Sequence, residues 1–358
     1  MSKKVYIVGA HSRARTLGIY LKKIYTDLEI AAYLVNNDED NPEIIDGVPV
    51  IRFDDNTDLD ADTPVYIGTR GIYHPDLIEI LKKCKMKKII PVTPQLDMEL
   101  RNRYLKQYFS EEQVPFLKLN ELNGNEPEKE NKSVCIYVAK SAADKRLNKT
   151  YDLKWFEKEI QVGAVLTEKK ICNLTDDNGE NISSKNKQFC ELTALYWIWR
   201  NAKEDIVGLE HYRRHFILQD DWADKMLSNQ VDVVLPVPLY VAPSLEENYK
   251  ERHTPDDWEY MMQCLQELYP DYYETAKVFF NKNLYSPCNM FIMKKEVLDE
   301  FCLWLFPILF RCEEHIGYRD DVYQNRYPGF LSERLMTLYF EKNRDKYKVV
   351  YADKDFRE

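Results

Sequence analysis

Apolar residues follow two rhythms along the chain. Over the first ninety or so positions, short runs of Val, Ile and Tyr alternate with stretches whose apolar residues recur every three or four positions. Residues 4–8, 30–35, 48–51, 65–67 and 88–92 are predicted as strands. Residues 13–25, with Leu17, Tyr20, Leu21 and Ile24 on one face, and 75–84 are predicted as helices. Such alternation predicts a parallel sheet covered by helices. The segment 120–132 (NELNGNEPEKENK) then breaks both rhythms: it is rich in Asn and Glu, holds Gly and Pro, and reads as a linker. Apolar runs resume at 134–139 (VCIYVA) and 160–166. A polar loop at 174–182 and a helix at 184–201 follow, with Phe189, Leu192, Tyr196 and Trp199 on one face of the helix. A strand at 205–209 leads directly into Glu210-His211-Tyr212-Arg213-Arg214-His215-Phe216. Later come a strand over 286–293 with a polar corner at Asn289, a buried or interfacial helix over 297–310, and a helix for which Ser332 would be the N-cap. The division expected is 1–119, a Rossmann-like accessory domain, a linker at 120–132, and a second α/β domain at 133–358.

Composition narrows the function classes. With 358 residues, 44% hydrophobic, two sizeable cores are available. The formal charge of −10 argues against a nucleic-acid partner, which needs a basic face. The cluster Lys82, Lys83, Lys85, Lys87 and Lys88 reads as a solvated helix end and leaves room for peripheral contact with an anionic membrane. The apolar run at 5–8 is too short for a signal peptide, and no run is long enough to span a bilayer. Eight cysteines without a C-x-x-C pair read as reduced core thiols, so the expected location is the cytoplasm.

Two regions carry candidate chemistry. The turn Val8-Gly9-Ala10-His11-Ser12 sits where a Rossmann-type fold receives a phosphate, although Ser12 and Arg13 stand near the expected second glycine. Asn36, Asn37 and Asp38 follow the second strand, and Gly68 and Gly71 mark a second loop at the same sheet edge. In the second half, polar residues at the end of a strand fit a ligand site. Two arginines flanked by histidines can stabilise the charge that develops on a departing diphosphate, as can a divalent ion. Glu333, followed by Asp321 and Asp320, is the candidate general base, in the first turn of the helix that Ser332 would cap.

The elements "IYVAK", "IQVGAVLT", "DNGENISSKNKQFCELTALYWIWRN", "VGLEHYRRHF", "CNMFIMKKEVLDEFCLWLFPIL" and "PGFLSERL" resemble a bacterial family formerly classed as a domain of unknown function. That family occurs in capsular-polysaccharide, exopolysaccharide and O-antigen clusters and includes galactofuranosyltransferases. The resemblance runs from about residue 133 to the C-terminus. It implies a GT-A-like α/β glycosyltransferase domain that moves a sugar from a UDP-sugar, with galactofuranose the first to test, onto a lipid-linked polysaccharide precursor. The enzyme would be inverting, at the inner face of the plasma membrane, and the chain could form a homo-oligomer. Under it Val138, Ala139 and Lys140 border the nucleotide, and Gly163, Asp177, Asn178, Asn181, Asn186 and Glu191 border the uridine and sugar. Glu210, His211, Tyr212, Arg213 and Arg214 face the diphosphate, while Asn289, Met290, Ser332 and Arg334 line the sugar and acceptor pocket. Glu210 departs from the small or thiol residue expected before the histidine, and its carboxylate admits a divalent cation, Mn or Mg. Two alternatives stand beside this reading: a GT-B-like pair of Rossmann units sharing a cleft, and a non-catalytic nucleotide-sugar-binding or scaffold protein.

Overall fold

The computed structural model describes residues 3–124 and 132–357. Residues 125–131, most of the polar linker segment, lie outside the described residues. The chain divides into two compact units, Met1–Phe116 and Leu117–Glu358.

The first unit contains β1 (Lys3–Val8), α1 (Ser12–Ile24), β2 (Leu28–Val35), β3 (Ile44–Ile45), β4 (Val48–Arg52), β5 (Val65–Ile67), α2 (His74–Lys83), β6 (Ile89–Pro91) and α3 (Pro94–Glu111). Its strands stand in the order β3-β4-β2-β1-β5-β6, all neighbours parallel except β3 and β4. β1 lies inside the sheet, and after the exposed Lys3 and Lys4 its run at 5–8 is apolar or buried, as expected of a strand covered on both faces. α2 drives Leu77 and Leu81 into a core with Val8, Leu34, Val65 and Ile67. α1 instead packs on α3, where the Tyr20 and Tyr104 rings lie 4.9 Å apart. α3 is not among the predicted helices, yet it opens with Pro94 at its first turn and Thr93 Oγ1 accepting from Leu96 N at 3.2 Å, a sound N-cap. Two lysines of the basic cluster are paired, Lys83 with Asp55 and Lys87 with Asp62, each at 2.6 Å.

The second unit begins before the polar segment. Leu119 is fully buried, Asn120 donates to Ile217 O at 2.8 Å, and Lys118 bridges to Tyr351. Its elements are β7 (Val134–Ser141), β8 (Glu157–Val162), β9 (Leu174–Thr175), α4 (Asn186–Phe189), α5 (Leu192–Asn201), β10 (Ile206–His211), β11 (Arg214–Phe216), α6 (Trp222–Ser228), β12 (Val233–Pro236), β13 (Leu239–Tyr240), α7 (Leu245–Arg252), α8 (Pro255–Leu268), α9 (Pro270–Phe279), β14 (Leu284–Tyr285), β15 (Phe291–Lys294), α10 (Lys295–Ile316), α11 (Tyr327–Lys342), β16 (Val349–Ala352) and β17 (Lys354–Phe356). The main sheet runs β16-β12-β15-β10-β7-β8-β9. β7 pairs in parallel with β8 and β10, whereas β15 runs antiparallel to both β10 and β12. One face carries the large core built with α5, α8, α10 and α11; the other packs Ile136, Ile206, Phe156 and Trp222 under α6. Pro307 lies inside α10.

Three predicted boundaries differ. The helix expected over 184–201 is interrupted at Cys190, whose φ of 47° breaks the helix into α4 and α5. The strand expected over 286–293 begins only at Phe291, after a corner. Ser332 is not a cap: α11 starts five residues earlier at Tyr327, Ser332 is buried inside it, and Glu333 and Arg334 fall in its second turn, not its first.

Candidate functional site

β7 and β10 end side by side, with Val138 and Ala139 opposite Glu210 and His211. This is the C-terminal edge of the parallel part of the sheet, where an open α/β sheet binds ligands. From β7 the chain passes Lys140, which pairs with Glu159 at 3.0 Å, and turns at Ser141, whose N–H donates to Asp144 Oδ2 at 2.7 Å. From β10 it turns through Tyr212 and Arg213 into β11.

Strand alternation separates Glu210 from His211. His211 turns to the face of the large core, and its Nε2–H donates to Cys288 O at 2.6 Å. Burial lowers its pKa, and Arg214 and Arg326 add to that against Glu191, so the ring is neutral at pH 7. Glu210 turns to the opposite face and does not look toward His211. There it accepts from Phe216 N at 2.6 Å, and its second oxygen lies 3.0 Å from His215 Nδ1, which is 3.1 Å from Glu157.

Cys288 and Asn289 form the corner before β15, with φ of 77° and 50°. Left-handed backbone at non-glycine residues costs on the order of 1–3 kcal/mol each unless its surroundings enforce it. Here three elements enforce it. Glu333 Oε1 of α11 accepts from Cys288 N at 2.6 Å. Asn289 Nδ2 donates to Glu191 Oε1 at 2.7 Å and to Gly329 O at 3.0 Å, and His211 holds the Cys288 carbonyl. The corner thus brings Glu191, His211 and Glu333 together. Burial raises the Glu333 pKa; Arg334 and the Cys288 N–H oppose the rise, and Glu191 adds to it. Arg334 bonds Glu333 Oε2 at 2.8 Å and lies over the Tyr285 ring at 4.4 Å.

Three arginines stand along this edge, Arg214 near Glu333, Arg326 near Glu191 and Arg213 near Asp144. Arg213 stacks over Tyr212 at 5.3 Å with its Nε buried and without a hydrogen-bond partner, Arg214 stacks over Phe356 at 5.6 Å, and Arg326 bonds Cys190 Sγ at 3.0 Å from the exposed rim. None of the three makes an ion pair among the described residues. The charge of Arg213, Lys140 and Arg326 reaches Asp144, and that of Arg214 reaches Glu333 and Cys288. Asp144, Arg326 and Cys288 are absent from the sequence-derived candidates. Asp144 and Arg326 lie outside every quoted motif, Cys288 opens one without standing out in it, and only the fold brings the three to this edge.

The other candidates divide into two groups. Val138, Ala139 and Met290 are core residues of or beside the sheet. Asn186 is structural: Nδ2 donates to Cys190 O at 2.7 Å, and a Cβ on Gly163, at φ 64°, would fall 2.6 Å from its Oδ1. Asp177, Asn178 and Asn181 are exposed and bond within their own turn, Asn178 O also accepts from Trp197 Nε1 at 3.0 Å, and Glu180 reaches Arg200 at the far end of α5. The structure does not bring them to His211. The residue that matters in this loop is the neighbouring Asp176. It is fully buried and accepts from Gly163 N, Ala164 N, Ser183 Oγ and Thr193 Oγ1 at 2.5–3.0 Å, tying the ends of β8 and β9 to the start of α5 and so fixing Glu191. Asp320 and Asp321 are exposed, and Asp321 accepts from Tyr323 N and Gln324 N ahead of α11.

Among the described residues, only Glu157, Glu210 and His215 bring three metal-ligating groups together, within 4.8 Å. This donor set could hold a divalent cation. With a proton on His215 it is instead a buried ion triad joining β8, β10 and β11. Burial alone would lower the His215 pKa, but the bonds to Glu157 and Glu210 outweigh it and raise it above 6.5; burial raises that of Glu210. These two shifts make the folded state hold protons that the unfolded chain releases, so their contribution is complete at low pH and lost as pH rises through the folded-state values. Burial alone would raise the Glu157 pKa, but the bonds from His215 and Lys154 N outweigh it and lower it, so its contribution is instead lost as pH falls. The melting temperature is expected to fall as pH rises past the ordinary histidine value of about 6.5. His215→Gln should flatten that slope, and an unchanged slope in calorimetry would disprove the triad's role.

Comparison with known proteins places the chain in context. The sequence pattern of the Domain of unknown function (DUF4422) matches residues 142–344. Among solved structures, "WbbM bifunctional glycosytransferase apo structure" is similar at 27% identity and a TM-score of 0.55, covering 63% of this chain and 45% of that one. The chain thus spans under half the length of that protein. Core-mannan synthase A (CmsA/Ktr4) from Aspergillus fumigatus, in an Mn/GDP form, aligns at 11% identity and a TM-score of 0.25 over 99% of this chain and 74% of that one, and carries no argument here. No curated protein sequence matches. The fold is an α/β arrangement with two mostly parallel sheets, similar to a glycosyltransferase. No helix of the described residues is long and apolar enough to cross a membrane.

Proposed function

The chain belongs to the DUF4422 family, whose matched segment holds every group of the site from Asp144 to Arg334, and on that premise we propose that it is an inverting, nucleotide-sugar-dependent glycosyltransferase. The observation that carries the reading is the set of three arginines without ion-pair partners at the C-terminal edge of the sheet, Arg214 near Glu333 and Arg213 and Arg326 near Asp144. Arg213, Arg214 and Arg326 grip the diphosphate of a UDP-sugar. As the bond from the anomeric carbon to the diphosphate oxygen breaks, their fixed charge stabilises the departing UDP. Glu333 takes the proton of the acceptor hydroxyl while that oxygen attacks the anomeric carbon from the opposite side, which inverts the centre. His211 and Glu191 hold the corner that positions Glu333. UDP-galactofuranose is the first donor to test, and a lipid-linked polysaccharide precursor the acceptor class. The chemistry is assigned to the unit Leu117–Glu358, with Met1–Phe116 as an accessory domain.

The test is a donor screen by mass spectrometry on the full chain, with and without EDTA. Transfer with a UDP-sugar, undiminished by EDTA, is expected, because the arginines occupy the diphosphate position and the Glu157–Glu210–His215 group lies on the other face. Absence of turnover with every nucleotide sugar would favour a binding or scaffold protein.

A further inference from the structure

The first unit contains a cavity that this chemistry leaves unused. In its sheet the chain proceeds from β1 through β2 to β4 on one side, then returns to lay β5 and β6 on the other. The order reverses at β1, and a crevice opens beyond the strand ends there. A cavity of about 460 Å³ fills that crevice, lined by the Gly9–Ala14 turn, the end of β2 with Asn36, Asn37 and Asn41, and the Gly68–Arg70 loop with Tyr73. Such a volume suits a small organic ligand and exceeds what a lone phosphate needs.

Its polar groups select the ligand class. Gly9 takes φ 112°, and a Cβ there would meet Ala14 Cβ at 3.1 Å and Thr69 Cγ2 at 3.3 Å, so the loop lies tight against the start of α1. α1 runs for 13 residues, its N-terminus has no side-chain cap and its first turn no acid, so the leading amides face the cavity with their partial positive charge. Arg13 and Arg70 are exposed at its mouth. Two atoms shielded from solvent in the same cavity lack any hydrogen-bond partner, Thr69 Oγ1 on one wall and Asn41 Oδ1 on another. Buried polar atoms are rarely left so unless something else satisfies them. Of the three carboxylates after β2, Asp38 is paired with Arg52, and Glu39, which lines the cavity, lies 3.2 Å from His11. The wall opposite the helix offers the amides of Asn36, Asn37 and Asn41, with the exposed Glu39 carboxylate turned to His11. Amides and two arginines for an anion, orphaned acceptors and asparagines for a polar ring system, and room for both describe one class of molecule.

We propose that this cavity binds a nucleoside diphosphate, or a molecule that carries one, with its phosphates at the Gly9–Ala14 turn between Arg13 and Arg70. This inference is independent of the glycosyltransferase reading, because the residues belong to the other unit.

Hydrogen–deuterium exchange of the full chain with about 1 mM ADP, and separately UDP, locates binding directly. Peptides covering 8–16 and 66–74 should gain protection. The double variant Arg13→Glu/Arg70→Glu should lose it and bind at least tenfold more weakly (about 1.4 kcal/mol), with an unchanged melt because both side chains are exposed. Protection confined to 138–145 and 209–216 would support the second-unit site and overturn this one. So would no protection at all, or equal affinity in the charge-reversed variant. Inorganic pyrophosphate binding as tightly as ADP would overturn the nucleoside part.

Discussion

Arg213→Ala is expected to weaken UDP binding by about tenfold to a hundredfold, the loss of one charge-assisted contact worth roughly 1.5–3 kcal/mol. The structural cost should be small. The side chain stacks only on Tyr212, its Nε is buried without a partner, and the main-chain bond from Arg357 N to Arg213 O at 2.8 Å survives the substitution. A cation–aromatic contact at a half-buried position is worth about 1 kcal/mol, so the melting temperature should move by only a few degrees. Arg213→Lys should restore part of the affinity, because a point charge replaces the planar fork. Arg214→Ala and Arg326→Ala should each weaken binding in the same direction, and the affinity should fall with rising salt. Titration calorimetry of the four variants decides the matter. Equal UDP affinity in wild type and Arg213→Ala would remove the diphosphate grip from this edge of the sheet.

The sheets were legible from sequence where burial acts on both faces. A strand covered twice, such as β7, shows an unbroken apolar stretch, VCIYVA, too short for a helix and rich in β-branched and aromatic residues. α3 escaped for the converse reason. Its buried positions, Leu100, Arg101, Tyr104, Leu105 and Phe109, are interleaved with charges, and Arg101 looks polar in sequence although it is buried. Of the groups that the fold brings to this edge, His211, Arg213 and Arg214 were legible within one short run, and Glu333 was singled out as a candidate base by its chemistry. It was illegible where a single residue's direction decides. Glu210 adjoins His211 in sequence yet faces the opposite core, since strand neighbours alternate. Asp176 and Asp177 present the same carboxylate one position apart. Only tertiary contacts decide which one collects four donors. The break at Cys190 was equally hidden, because an apolar helical period continues across it while the backbone does not.

Glu333→Gln should lower kcat for transfer by about a hundredfold to ten-thousandfold while leaving the affinity for UDP close to wild type. Glutamine keeps an oxygen for the Cys288 N–H, so the left-handed corner before β15 should persist. What it cannot do is take a proton. The pH profile gives the second readout. A base works only when deprotonated, so kcat should rise with pH through the Glu333 pKa. Burial, with Glu191 adding, places that value above the ordinary carboxyl range, and Arg334 and Arg214 limit the rise. Glu191→Gln removes one neighbouring negative charge, so the acid limb of its profile should move to lower pH with turnover otherwise retained. These outcomes separate catalysis from scaffolding at one carboxyl group. If Glu333→Gln turns over at the wild-type rate, Glu333 only braces Cys288. If Glu191→Gln is the variant that loses turnover while still binding UDP, the proton goes to Glu191, the other carboxylate at this corner.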